Sequence, residues 1–300
     1  MVNKIPCMTL LEARDLYRET LQKKFSIGEI DFYFKSLMTD SFQREPTQLA
    51  LEPESELEPR EVLLIQEAAT KLLKDYPLQY ITGTVHFRTL KLKVDPRVLI
   101  PRPETEELVD WIVEDFGKRT DDSKDILDMG TGSGCIAIAL AKENTQFTVS
   151  ALDQEQPILD LAQENALNNG VQIHFFQQDL LQLDSLKQSF DILVSNPPYV
   201  MRKEQELMQP NVLDHEPHQA LFVPDEDPLV FYRAILKFAS LHLNSEGIIY
   251  FEINPLLIDE LRFLIQQFDY TISERMDIFG KVRMLRLKKK VTWKRFKRKS

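Results

Sequence analysis

The most specific chemistry in this 300-residue chain belongs to Asn196-Pro197-Pro198-Tyr199. A carboxamide or aromatic amine nitrogen is a poor nucleophile because its lone pair is delocalised. The Asn196 side-chain oxygen and the Pro197 carbonyl could accept its two N–H groups and hold the nitrogen towards an electrophilic methyl. They would also disperse the positive charge that develops as the bond forms. Consecutive prolines fix the backbone and leave that carbonyl without internal partners. Tyr199 offers a flat face to a planar group. No strong base is needed, because the nitrogen sheds its proton after methylation. Asn196, Pro197 and Tyr199 are therefore the candidate catalytic residues, and Asn196 to Tyr199 the candidate substrate contacts. The plainer alternative is a rigid loop with an Asn-Pro turn. Its place directly after the apolar strand pattern FDILVSN (190–196), downstream of a glycine loop, argues against that.

The glycine loop is DMGTGSG at 128–134, with Gly130, Gly132 and Gly134 where a strand pattern gives way to a helix pattern. Glycine lets a ligand approach the backbone closely, but the spacing alone also suits a structural turn or a nicotinamide site. Asp128, just before it, favours a cationic ligand: a pyrophosphate would be repelled, whereas the sulfonium and amino group of S-adenosylmethionine would not. Asp153 ends the next strand pattern, where a carboxylate can accept both ribose hydroxyls of a nucleoside. Asp179 closes the third, within reach of an adenine amino group.

Other reactive residue types offer no rival site. His215 and His218 flank Glu216, but Pro217 interrupts any helix and no further ligand is evident, so no metal is expected. His86, His174 and His242 read as surface residues of strands or helices. Cys135, just inside the helix after the glycine loop, reads as a small packing residue. Cys7 and Cys135 stand at neither metal nor disulfide spacing, which fits a reducing cytoplasm.

These residues need a scaffold. Residues 1–76 read as a helical bundle: Thr9/Glu12 and Ser26/Glu29 form capping boxes. Ala13, Leu16, Tyr17 and Leu21 follow helical spacing, as do Ile27, Ile30, Phe34, Leu37 and Met38, and then Val62, Ile65, Ala69 and Leu72. Residues 77–100 read as a β-hairpin linker, with strand alternation beginning at Gln79 after Pro77 breaks the helical pattern. From 101 to 290 helices alternate with apolar strands, the pattern of an open α/β sheet. It ends in two successive strands, YTISERM and VRMLRLK, as an antiparallel edge hairpin would. The expected fold is α/β: a Rossmann-like class I methyltransferase sheet of seven strands with that hairpin, plus the helical bundle.

Composition narrows the setting. The net charge of −10 conceals eleven Lys or Arg and no acid at 281–300, so the rest of the chain is strongly acidic. An acidic body is a poor nucleic-acid surface. The basic tail, 291–300, could make a weak RNA or ribosome contact, with Trp293 and Phe296 available to stack; a solvated tail is the simpler alternative. No apolar run suggests a membrane span, and the N-terminus lacks a signal-peptide pattern.

At this point the chain resembles the HemK family of protein-(glutamine) methyltransferases that modify peptide chain release factors. PLQYITG (77–83), LIPRPETEELV (99–109), ILDMGTGSGCIAIAL (126–140), LVSNPPYV (193–200), EPHQAL (216–221) and FGKVRM (279–284) carry the likeness along nearly the whole chain. IPRPETE is the most diagnostic, since nucleic-acid adenine methyltransferases share NPPY but not this lead-in. The resemblance implies S-adenosylmethionine as cofactor, held by Gly130, Thr131, Gly132, Ser133 and Gly134, by Asp153, by the Asp179-Leu180 pair and by Asn196. It implies a glutamine in a release factor's Gly-Gly-Gln loop as target. The helical N-terminal domain would grip that protein, and Glu104 and Thr105 would help close the site. Thr84, the HFRTL stretch (86–90) and EIN (252–254) depart from the family pattern. A nucleic-acid adenine or guanine amine methyltransferase, a glutamine methyltransferase of a ribosomal protein, and a non-catalytic binding module are the competing functions.

Overall fold

The computed structural model describes residues 7–45, 47–116, 123–183 and 188–290; the basic tail and its expected RNA contact lie outside them. The chain divides into two compact units, Met1–Val85 with Lys93–Pro96 and Met208–Glu216, and His86–Leu92 with Arg97–Leu207 and Pro217–Ser300.

The small unit is helical. Helices α1 (Leu10–Leu21) and α2 (Ile27–Ser36) both start at the expected capping boxes, in which each Ser or Thr hydroxyl and each Glu satisfies an orphan backbone N–H. Helices α3 (Gln48–Leu51) and α4 (Pro59–Leu73) follow, α4 with proline in its first turn, where no N–H is needed. Leu10, Tyr17, Leu21, Ile30, Phe34, Val62, Ile65 and Leu72 interlock as its core. Leu16 and Ile27, expected on the same faces, are exposed. Helix α5 (Leu78–Thr82) corrects the strand expected from Gln79: Pro77 caps a helix instead of only ending one, and left-handed Gly83 stops it. The hairpin strands β1 (Thr84–Phe87) and β2 (Leu90–Lys93) come after it. Helix α9 (Pro210–Leu213) also belongs to the small unit, which sequence order did not suggest.

The large unit runs through α6 (Pro103–Phe116), β3 (Lys124–Met129), α7 (Cys135–Glu143), β4 (Phe147–Asp153), α8 (Gln156–Asn168), β5 (His174–Gln177) and β6 (Phe190–Ser195). It continues with β7 (Val200–Met201), α10 (His218–Leu221), β8 (Phe222–Val223), α11 (Val230–His242), β9 (Leu243–Glu252), α12 (Ile258–Gln266), β10 (Tyr270–Met276) and β11 (Val282–Lys289). Among the described residues the main sheet has seven strands in the order β10-β11-β9-β6-β3-β4-β5. Strands β3, β4, β5, β6 and β9 are parallel, and β11 and β10 add antiparallel at one edge, as the paired terminal strands foretold. Ile126, Leu127, Ile192, Leu193, Ile249 and Phe251 are fully buried, because helices cover both faces of a parallel sheet. His242, expected at a surface, is buried and stacks on Phe238 at 4.4 Å. The carboxyl ends of β3, β4, β6 and β9 share one edge, so the glycine loop, Asp153, Asn196 and Glu252 converge there.

Among the described residues, no helix is long and apolar enough to cross a membrane.

Candidate active site

A cavity of about 350 Å³ opens at that edge, within the large unit. Gly130, Thr131, Gly132 and Ser133 form one wall, with Asp153, Asp179, Leu180, Asn196 and Pro198 around them. Most of the expected site residues thus come together. Gly134, Pro197 and Tyr199 are not among the residues lining it.

The loop is held from both sides. Gly130 and Thr131 donate their backbone N–H groups to the Leu152 carbonyl at 3.0 and 2.9 Å, tying β3's end to β4. Gly130, Gly132 and Gly134 all have left-handed φ. At Gly134 a Cβ would also lie 3.0 Å from Ile138 Cδ1 and 3.3 Å from Ala162 Cβ, so this glycine serves helix packing.

Asp128 is fully buried behind the loop and away from the cavity, and its Oδ2 accepts from Thr131 Oγ1 at 2.6 Å and from the Ala137 N–H at 3.3 Å. Through these bonds it braces the loop. Burial pushes its pKa up to about 7, against the pull of those two bonds. Cys135 is buried beside it, and burial lifts its thiol to about 12, consistent with a packing role.

Asp153 sits at the end of β4. Its Oδ2 accepts from the Gly132 N–H at 2.9 Å and its Oδ1 from the Gln154 N–H at 2.8 Å. Burial raises its pKa, and these backbone donors oppose the rise. The Glu155 N–H adds a third backbone bond, and since a carboxylate has about four acceptor positions, capacity towards a ribose hydroxyl remains. Asp179 lies two residues beyond β5, where its Oδ1 accepts from the Leu181 N–H at 2.8 Å.

Asn196 follows β6. Its Nδ2 donates to Thr105 Oγ1 at 3.1 Å, and Thr105 donates to Glu252 Oε2 at 2.6 Å. Tyr199 donates its hydroxyl to the other Glu252 oxygen at 3.0 Å. The Tyr199 ring packs against the core of the large unit, so the residue anchors the motif through its hydroxyl. Asn254 Nδ2 donates to the Tyr199 carbonyl at 3.2 Å and adds a second tie. Glu252 is buried at the end of β9; burial raises its pKa, while Thr105, Tyr199 and Arg283 pull it down. Tyr199 itself is pushed well up by burial and by the Glu252 carboxylate.

Sequence reasoning missed several of these. Glu252 falls in the EIN stretch noted only as a departure, and nothing local marks a strand-end glutamate as a network centre. Arg102, Ile158 and Phe231 line the cavity unannounced. For Arg102 a signal existed: the stiff Pro101–Pro103 segment had to lie beside the site for Thr105 to close it. Thr105 lines the cavity as expected, and its partner in that expectation, Glu104, does not.

Comparison with known proteins places the chain in a family. Residues 108–220 match the family model described as Methyltransferase small domain, and residues 12–83 that of the PrmC N-terminal domain. Over 282 residues the chain is 39% identical to the release factor glutamine methyltransferase of Flavobacterium psychrophilum, spanning 93% of this chain and 99% of that protein. It is 45% identical to the release factor glutamine methyltransferase of Bacteroides thetaiotaomicron over 217 residues, 72% of this chain and 77% of that one. Among solved structures, a methyltransferase from Pyrococcus furiosus superposes with a TM-score of 0.52 at 16% identity, covering 75% of this chain and 99% of that chain, a likeness of fold.

Proposed function

The chain belongs to the release factor glutamine methyltransferase family, and from that premise we propose how its own residues act. The reaction is transfer of a methyl group from S-adenosylmethionine to the side-chain amide nitrogen of the glutamine in a release factor's Gly-Gly-Gln motif. The observation that carries this reading is the commitment of Asn196 Nδ2 to Thr105, which leaves Oδ1 as the acceptor for a target amide N–H.

The cavity suits S-adenosylmethionine. Asp153 retains acceptor capacity for a ribose hydroxyl, and Ile158 and Leu180 supply apolar walls for a flat base. Asp179 stands beside Leu180 for its amino group, the glycine loop keeps Cβ atoms out of the way, and Arg102 places positive charge on the wall where a carboxylate can lie. When bound, the cofactor supplies an electrophilic methyl on a sulfonium.

The protein's task is then positioning. Asn196 Oδ1 and the Pro197 carbonyl accept the two N–H groups of the target amide, fix the nitrogen, and stabilise positive charge as it grows there. Tyr199 holds the motif to Glu252, so the pair of acceptors does not swing. The proton leaves the nitrogen after transfer and needs no strong base. The helical unit, matched by the PrmC N-terminal domain, grips the protein substrate in this reading. Two free cysteines suit the cytoplasm, where translation proceeds.

The test is methyl incorporation from labelled S-adenosylmethionine into a purified bacterial release factor and into its form with alanine for the Gly-Gly-Gln glutamine. Label in the first and none in the second supports the assignment; equal label in both contradicts it.

A further inference from the structure

A carboxamide can face its site in two ways, and only one of them suits an amide substrate. With Oδ1 outward, Asn196 accepts from an N–H; with Nδ2 outward, it would instead favour a carboxylate oxygen. Something must therefore choose between two faces of nearly identical shape.

The hydrogen-bond chain behind Asn196 supplies the choice. Thr105 has one hydroxyl hydrogen and places it on Glu252 Oε2 at 2.6 Å. Its oxygen is then left to accept, and it accepts from Asn196 Nδ2 at 3.1 Å. Tyr199 likewise spends its single hydrogen on Glu252 Oε1 at 3.0 Å. As a carboxylate, Glu252 accepts at both oxygens and has no proton to give back to Thr105. The backbone beneath it is fixed too, since Tyr232 donates its hydroxyl to the Glu252 carbonyl at 3.0 Å. Thr105 and Glu252 are buried, so water cannot replace a missing partner cheaply. Burial raises the Glu252 pKa, and the Thr105 and Tyr199 hydroxyls with Arg283 pull towards the charged form.

We propose that Glu252 and Thr105 are positioning residues that set the polarity of the Asn196 carboxamide, and so make the site select a glutamine amide over a glutamate carboxylate. The proposal rests on the glutamine-methylation reading above. It assigns to this relay a selectivity beyond transfer itself: the relay touches neither substrate atom and acts through Asn196. Without the Thr105 oxygen, Nδ2 has no fixed acceptor and both faces of Asn196 become available. A site built to hydrogen-bond a donor rejects an analogue lacking it strongly, and that rejection is what the relay protects.

The experiment uses the full-length protein and a release factor in two forms, with glutamine or glutamate at the target position. The glutamine form gives kcat and KM; the glutamate form is titrated as a competitive inhibitor for Ki. In Thr105→Val the ratio of Ki to KM should fall about ten-fold or more, and Thr105→Ser should restore most of it. Glu252→Gln should lower the ratio in the Thr105 background and add little in Thr105→Val, since residues acting through one path are not additive. Affinity for S-adenosylhomocysteine and the melting temperature report whether each variant folds; if Glu252→Gln does not, the Val and Ser pair decides. An unchanged ratio in Thr105→Val, or independent additive losses, overturns the proposal while leaving methyl transfer intact. Failure of the unsubstituted protein to methylate the glutamine form overturns both.

Discussion

Gly132 donates its backbone N–H to Asp153 Oδ2 at 2.9 Å, which makes the glycine loop and the carboxylate at the end of β4 one rigid fixture. The loop shapes the carboxylate's remaining lone pairs, and the carboxylate holds the loop open. A nucleoside bound there meets a site already organised, with little ordering cost left to offset.

Asp153→Ala should therefore weaken S-adenosylmethionine binding far more than it slows transfer at saturation. Loss of a charge-assisted bond to a ribose hydroxyl corresponds to a rise in Kd of about 10- to 100-fold. Isothermal titration checks it. A fall in kcat at saturating cofactor with unchanged Kd would place Asp153 elsewhere in the reaction.

Gly134→Ala and Gly83→Ala form a matched pair. Both positions have left-handed φ, which costs an alanine about 1–2 kcal/mol. Only at Gly134 would the new methyl also crowd Ile138 and Ala162, whereas nothing lies within 4 Å at Gly83. Denaturant unfolding should show Gly134→Ala as the more destabilised, by about 1–3 kcal/mol beyond Gly83→Ala. Equal losses would mean that α7 and α8 yield without cost.

Asp128 gives a pH prediction with a definite sign. In the unfolded chain it ionises near pH 4, while burial holds the folded group protonated up to about 7. Between those values the unfolded chain has released a proton that the folded chain retains, so this group's contribution to stability falls as pH rises and levels off above 7. Asparagine carries no such dependence. The stability of Asp128→Asn relative to the unsubstituted protein should rise from pH 4 to pH 7 and then stay flat. A pH-independent difference would show that Asp128 is ionised throughout.

The features legible in the sequence are those that a local signal specifies. Thr9/Glu12 and Ser26/Glu29 start helices because capping chemistry acts within one turn. Paired strands at the C-terminal end foretold the antiparallel edge because no helix pattern separates β10 from β11. Gly130, Asp153 and Asn196 met at one edge because parallel strands put their carboxyl ends together. What stayed hidden depends on distant partners. Glu252 matters through Thr105, 147 residues away in sequence, and no periodicity encodes that contact. The bracing bonds of Asp128 to Thr131 and Ala137 were hidden because adjacency to a loop does not reveal which way a side chain turns. Helix α5 has five residues, too few for propensity to establish, and rests on its proline start and glycine stop. His242 lay on a helix pattern whose buried stripe was wider than its apolar residues showed.

The central claim is that Asn196 orients and stabilises the target amide nitrogen. It is tested most directly by single-turnover methyl transfer to an intact release factor, with saturating S-adenosylmethionine, in the unsubstituted protein and in Asn196→Ala. Loss of one oriented acceptor should slow transfer by about 10²- to 10³-fold, with the product mass on the Gly-Gly-Gln peptide of the unsubstituted reaction. Full-rate transfer to that glutamine by Asn196→Ala would contradict the claim.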